Sequence, residues 1–256
     1  KMIKVPIAPQ HLDEITDQFA KAITPKTRVI LVSHVINITG QIMPVKQICE
    51  IAKSRGIEVI VDGAHSFAHF DFKQKDLGCD YFGTSLHKWM YAPKGTGLLY
   101  VGRDKIEKLW PLMAADKTQV KDIRKFEEIG THPAAPKLAI GEAILFHKGI
   151  GPARKEARLR FLSRYWMNKL KDVPNIRFHT SFDEHQSCGI GNVEIEGIEP
   201  GPLGSYLFDK HKIYVTGIVH DEFKGIRITP NVYTTLPELD RFCDVMETVA
   251  RKGLPK

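Results

Sequence analysis

Short apolar runs alternating with amphipathic stretches constrain this chain more than any other feature. Arg28–Ser33, Glu58–Asp62, Asp80–Ser85 and Gly97–Val101 each read as a strand. Between the first two lies a helical pattern, Val45 to Arg55, entered through Pro44 and stopped near Gly56. Ahead of them His11 to Ile23 reads as an amphipathic helix with Leu12, Ile15, Phe19 and Ile23 on one face. A run as continuously apolar as that of Val29 to Val32 suits a strand buried on both faces. Strands that alternate with helices pair in parallel. The expected fold is therefore α/β, with a three-layer, mostly parallel sheet.

The pattern changes past the middle. Pro133–Lys148 and Ala153–Leu170 read as helices broken by Gly149–Pro152. Beyond them Ile176–Phe178, Gly191–Ile195, Ile213–Val215 and Gly225–Thr229 read as short strands, interleaved with helices near Leu203–Lys210 and Leu236–Arg251. Residues 1–150 are expected to form a large domain and 151–256 a small α+β domain. The net charge is +7, but bases and acids are interleaved, and the densest basic run, Arg154–Arg160, falls on a helical pattern as a solvated face. Neither nucleic acid nor membrane is an expected partner. No apolar run approaches the roughly 18–20 residues of a span, and no secretory signal is present, so a cytoplasmic location is expected. The four cysteines are widely spaced, with no C-x-x-C pair, and read as reduced structural thiols.

The chemistry lies in two loops. Asp62 ends one strand run, and Lys88 follows twenty-six residues later, after the run that ends in Ser85. Ligands bind outside the carboxyl ends of strands in open α/β sheets. There Asp62 is either a turn or cap residue or the partner of a cationic ring nitrogen. Combined with a lysine amine, it suits pyridoxal phosphate: the amine forms a Schiff base with the aldehyde and the carboxylate keeps the pyridine nitrogen protonated. In an extended segment Ser85 and His87 share one side, both able to donate to a phosphate, while Leu86 turns to the core. Other site types fail on single positions. His87 stands where a nucleophile elbow needs glycine, no G-x-x-x-x-G-K-[ST] or G-x-G-x-x-G follows a strand, and no Glu follows His65, so no metal is expected.

The segments Val59–Ser66 and Gly83–Trp89, with Ser85-Leu-His-Lys88 inside the second, resemble the class V aminotransferase family, which includes cysteine desulfurases and isopenicillin N epimerase. The resemblance runs over nearly the whole chain and implies a pyridoxal-phosphate enzyme of fold type I, a homodimer with shared sites, that acts on a small amino acid. It implies Lys88 and Asp62 as catalytic, and Ser85, His87, His65 and Asn37 around the cofactor. Thr131, after Gly130, is implied at the phosphate of the neighbouring subunit, and Arg227 at the substrate carboxylate, which an arginine fork suits. Flanked by Ile226 and Ile228, Arg227 must point away from them, into a cleft or into water, and the cleft is the expectation. Complete family members carry a further N-terminal portion, which this chain is expected to lack.

The family divides by the fate of the substrate. A desulfurase needs a nucleophilic cysteine upstream of the substrate arginine, and Val215–Lys224 holds none. Transamination or an isopenicillin N epimerase-like reaction is thus the expectation. The alternatives are a C–S lyase of the desulfurase type, or a non-catalytic fragment that keeps the fold.

Overall fold

The computed structural model describes residues 1–8 and 11–255. The chain divides into two compact units. One comprises Thr16–His34 and Pro44–Ile150; the other comprises Lys1–Ile15, Val35–Met43 and the chain from Gly151 onward.

In the first unit α1 (Leu12–Ala22), whose opening turn belongs to the other unit, leads to β1 (Val29–Ser33), α2 (Val45–Ser54), β2 (Glu58–Asp62), β3 (Tyr81–Ser85) and β4 (Gly97–Val101). The sheet order is β1-β2-β3-β4. The first two pairings are parallel, the β1–β2 pair across α2 and the β2–β3 pair across a connection whose only helix is the short 3-10 turn Gln74–Leu77, and β4 runs antiparallel against β3. The eleven residues Leu86–Thr96 that join them form no helix to cross over the sheet, so β4 returns antiparallel beside β3. Further along, α3 (Ala134–Ile150) closes the unit.

The burial of β1 departs from the expectation of a strand covered on both sides. Ile30 and Val32 are buried, whereas Leu31 is 69% exposed. Register places Leu31 beside Ile60, and Leu99 shares that face. All three are exposed, while Val59, Val61 and Phe82 on the opposite face are buried. Successive side chains point to opposite faces, so a helix that packs on one face buries every second residue. α2 does so against β2, through Val45, Ile48, Cys49 and Ala52.

A buried histidine ties the sheet to the chain that leaves β2. His34 N–H donates to Asp62 O at 2.8 Å. The imidazole is 5% exposed, lies edge-on to Phe70 and Phe72, and its Nδ1 has no hydrogen-bond partner. Burial lowers its pKa from 6.5 to about 4, because the apolar surroundings disfavour the charged ring. The unfolded chain therefore binds this proton more tightly than the folded one. The stabilisation is complete above pH 6.5 and is lost as pH falls. The expected loss is roughly 2 kcal/mol by pH 5 and roughly 3 kcal/mol by pH 4. Urea unfolding at pH 7 and at pH 4.5 measures it, and in His34→Gln this share of the acid loss should vanish.

In the second unit α4 (Pro152–Leu170), β5 (Ile176–Phe178), β6 (Gly191–Ile195), α5 (Pro200–His211), β7 (Thr216–Val219), β8 (Lys224–Ile228) and α6 (Leu236–Lys252) form a four-stranded antiparallel sheet, ordered β5-β6-β8-β7, with helices. Its core joins Leu162, Trp166 and Met167 of α4 to Val193, Ile226, Phe242 and Met246. The Glu238 carboxylate accepts from Thr235 N–H at 2.7 Å and so caps α6. The strand expected at Ile213–Val215 is displaced. Lys212 ends α5 in the left-handed region and Ile213 N–H still donates to Leu207 O at 3.0 Å, so pairing begins only at Thr216.

Candidate active site

The three parallel strands of the first unit end at a common edge. Ser33, Asp62 and Gly83 are register partners there, and Ser85 closes β3 two residues further on. Asp62 is exposed at this edge, and its Oδ1 accepts from Ala64 N–H at 2.9 Å. The local turn contact that an aspartate makes after a strand is thus present, with the carboxylate still open to solvent. Thr84 Oγ1–H donates to Gly63 O at 3.1 Å and ties the two strand exits together.

Lys88, half-buried, lies three residues beyond β3. Its Nζ is 3.1 Å from Nε2 of His65, three residues beyond β2. Two side chains singled out from sequence therefore meet. The extended conformation expected for Ser85–Lys88 does not hold beyond Ser85. Leu86 is buried with Met90, Ala92 and Ala143, its N–H donates to Thr96 O at 3.0 Å, and its carbonyl accepts from Ala92 N–H at 3.1 Å. Anchoring Leu86 bends the chain out of the sheet. Ser85 stays half-buried and His87 becomes exposed. Thr131 is exposed, three residues ahead of α3.

Two aromatic residues that the sequence reading left out complete this corner. The rings of His69 and Trp89 stack with centroids 3.8 Å apart and planes 3° from parallel. Nδ1 of His69 lies 2.7 Å from the carbonyl of His65, and Trp89 Nε1–H points at Nδ1 of His65 at 3.4 Å. The signal in the sequence was the crowding of aromatic and histidine residues between His65 and Phe72, which by itself names no partner.

In the second unit Arg227 stands on β8 between buried Ile226 and Ile228. One guanidinium nitrogen donates to Asn37 O at 3.1 Å, and another lies 3.4 Å from Thr216 Oγ1. Its Nε is buried with no hydrogen-bond partner. Burial draws the Arg227 guanidinium below the usual arginine range. Asn37 itself is exposed in a turn, and its carbonyl is what engages Arg227.

All four cysteines are buried and free. Desolvation pushes the thiols of Cys49, Cys188 and Cys243 up to about 12 and raises that of Cys79. The segment upstream of Arg227 is a tight β7–β8 hairpin, closed by His220 N–H donating to Phe223 O at 2.9 Å.

The sequence model of the family described as Aminotransferase class-V matches residues 3–225. The chain belongs to the class V aminotransferase family. It is 30% identical over 266 residues to the isopenicillin N epimerase of Streptomyces clavuligerus, covering 97% of this chain and 67% of that protein. It is 32% identical over 197 residues to a probable cysteine desulfurase of Halalkalibacterium halodurans, covering 73% of this chain and 47% of that one. The apo cysteine desulfurase of Thermococcus onnurineus NA1 superposes with a TM-score of 0.84 at 22% identity, covering 99% of this chain and 66% of that one. The chain thus spans about two thirds of the length of the epimerase it matches. The fold is that of the pyridoxal-phosphate enzymes of fold type I.

The cofactor of this family is pyridoxal 5′-phosphate. The donor set suits it. An amine at Lys88 lies against an imidazole at His65, a carboxylate at Asp62 occupies the same sheet edge, and Ser85 and His87 add donors beside the lysine.

Proposed function

We propose that this chain carries the catalytic core of a pyridoxal-phosphate enzyme acting at the Cα of a small amino acid through Lys88, as a transaminase or an isopenicillin N epimerase-like enzyme. The observation that supports it best is the contact between Lys88 Nζ and His65 Nε2 at the sheet edge that holds Asp62. Bound pyridoxal phosphate supplies an electron sink for negative charge at Cα. Asp62 meets the positive charge of the ring nitrogen. Ser85 and His87 donate to the phosphate, joined by Thr131 across a homodimer. His65 and Asn37 flank the ring. Lys88 would hold the cofactor, and its amine would serve as the general base for the Cα proton. Arg227 holds the substrate carboxylate by its fork.

A second reading, a C–S lyase of the desulfurase type, draws support from the desulfurase relatives. Against the form that needs a protein nucleophile stand the β7–β8 hairpin, which carries no cysteine, and four buried thiols held protonated. Incubating the cofactor-loaded enzyme with single amino acids in D2O separates the readings. Deuterium entering at Cα with inversion indicates an epimerase; a 2-oxo acid formed in step with amino transfer to an added acceptor indicates a transaminase. Release of sulfide or persulfide from cysteine or cystine would favour the lyase. No exchange with any amino acid would sink the proposal.

A further inference from the structure

The atoms around His65 fix where its proton sits. An indole N–H donates and never accepts, so the Trp89 contact at 3.4 Å makes Nδ1 of His65 the acceptor. In neutral imidazole one nitrogen carries the hydrogen and the other the lone pair. The hydrogen of His65 is therefore on Nε2, the atom 3.1 Å from Lys88 Nζ.

Trp89 is itself held in place. It is 5% exposed and stacks at 3.8 Å on His69, which is 1% exposed. A carbonyl only accepts, so His69 Nδ1–H donates to His65 O at 2.7 Å, and the orientation of the His69 ring is set by the backbone of the very residue that Trp89 contacts. The loop closes on itself: His65 carbonyl, His69, Trp89, His65 ring. Two residues beside the stacked pair, Ala68 (φ 59) and Tyr91 (φ 62), sit in the left-handed region. A side chain there is strained, and the conformation persists only where the surroundings hold it.

We infer that Trp89 is a positioning residue that locks His65 as its Nε2–H tautomer, so that a hydrogen, not a lone pair, faces Lys88. The tautomer follows from the geometry alone. What it means for the reaction rests on Lys88 as the attachment lysine proposed above.

The test is long-range 15N–1H correlation of histidine side chains, with His65 assigned through His65→Gln, in the protein before and after it is loaded with pyridoxal phosphate. The cofactor-free spectrum should show Nε2 protonated and Nδ1 bare at neutral pH. In Trp89→Phe, which keeps an aromatic ring and loses the donor, the His65 signals should move to a mixture of tautomers. If that variant does not fold, benzothienylalanine at position 89 keeps the indole shape with sulfur in place of N–H and should give the same shift. An Nδ1–H tautomer or a doubly protonated ring in the unmodified protein overturns the inference, as does an unchanged tautomer once the donor is gone. A correct tautomer in a protein that shows no turnover would leave the inference standing and count against the proposed function instead.

Discussion

Replacing Lys88 by alanine is expected to leave a folded protein that no longer links covalently to pyridoxal phosphate and whose turnover falls at least 10²–10⁴-fold, roughly what a general base contributes. Under the proposed function two jobs are lost at once, since the same amine would hold the cofactor and take the Cα proton. Folding should survive because the loop is anchored by its neighbours. Leu86 and Met90 are buried in one cluster and Trp89 is stacked on His69, while Lys88 is only half-buried. The check is borohydride reduction followed by peptide mass analysis. The unmodified protein should carry reduced cofactor on the peptide containing Lys88, and the variant should carry none. A variant that still turns over at the original rate would remove Lys88 from the mechanism and leave the family resemblance without its chemistry.

Gly40→Ala is expected to destabilise the unit that holds Arg227 by about 2–5 kcal/mol, the sum of a left-handed backbone penalty and overpacking. Gly40 has φ +79, and a Cβ built there would lie 2.1 Å from the carbonyl oxygen of Ile190. Backbone cannot swing aside as a flexible side chain does. The turn around Gly40 is also fastened tightly. Ile42 N–H donates to Gln186 O at 2.8 Å, Asn192 Nδ2–H to Ile38 O at 2.9 Å and Thr180 Oγ1–H to Thr39 O at 2.5 Å. Gly130→Ala is the matched comparison, with φ +78 and nothing within 4 Å of the added carbon. It should cost about 1–2 kcal/mol, the backbone share alone. Urea midpoints for the two variants isolate the clash. Equal losses would mean that the 35–43 turn yields more readily than its hydrogen bonds suggest.

Much of the first sheet was legible because the strands announce themselves. Glu58–Asp62 and Gly97–Val101 begin and end where the sequence places them, since β-branched and aromatic runs bounded by glycine and proline leave little room for another reading. The strand at Thr216–Val219 was misplaced for the opposite reason. Ile213-Tyr-Val215 is as strand-like as any run in the chain, and what displaced it was a lysine, Lys212, adopting a backbone conformation usually marked by glycine. Pairing preference lost to the way α5 ends. At the candidate site the sequence singles out Asp62 and Lys88 because the proposed chemistry needs a carboxylate and an amine near the strand exits, and the structure brings Lys88 against His65. His69 and Trp89 were not, because they meet through the packing of two loops twenty residues apart, and no local pattern encodes that. The exposed Leu31 escaped for a similar cause: an apolar run does not say how many of its faces the rest of the chain will cover.

The cysteines carry a practical consequence. Buried, unpaired with one another and held protonated, Cys49, Cys79, Cys188 and Cys243 offer almost no thiolate to an electrophile at neutral pH. The chain is thus a silent background for maleimide chemistry. A single cysteine placed at an exposed position such as Thr131 becomes the one thiol that a fluorophore or spin label finds, so distances and motions of the segment ahead of α3 can be followed without first removing the native sulfurs.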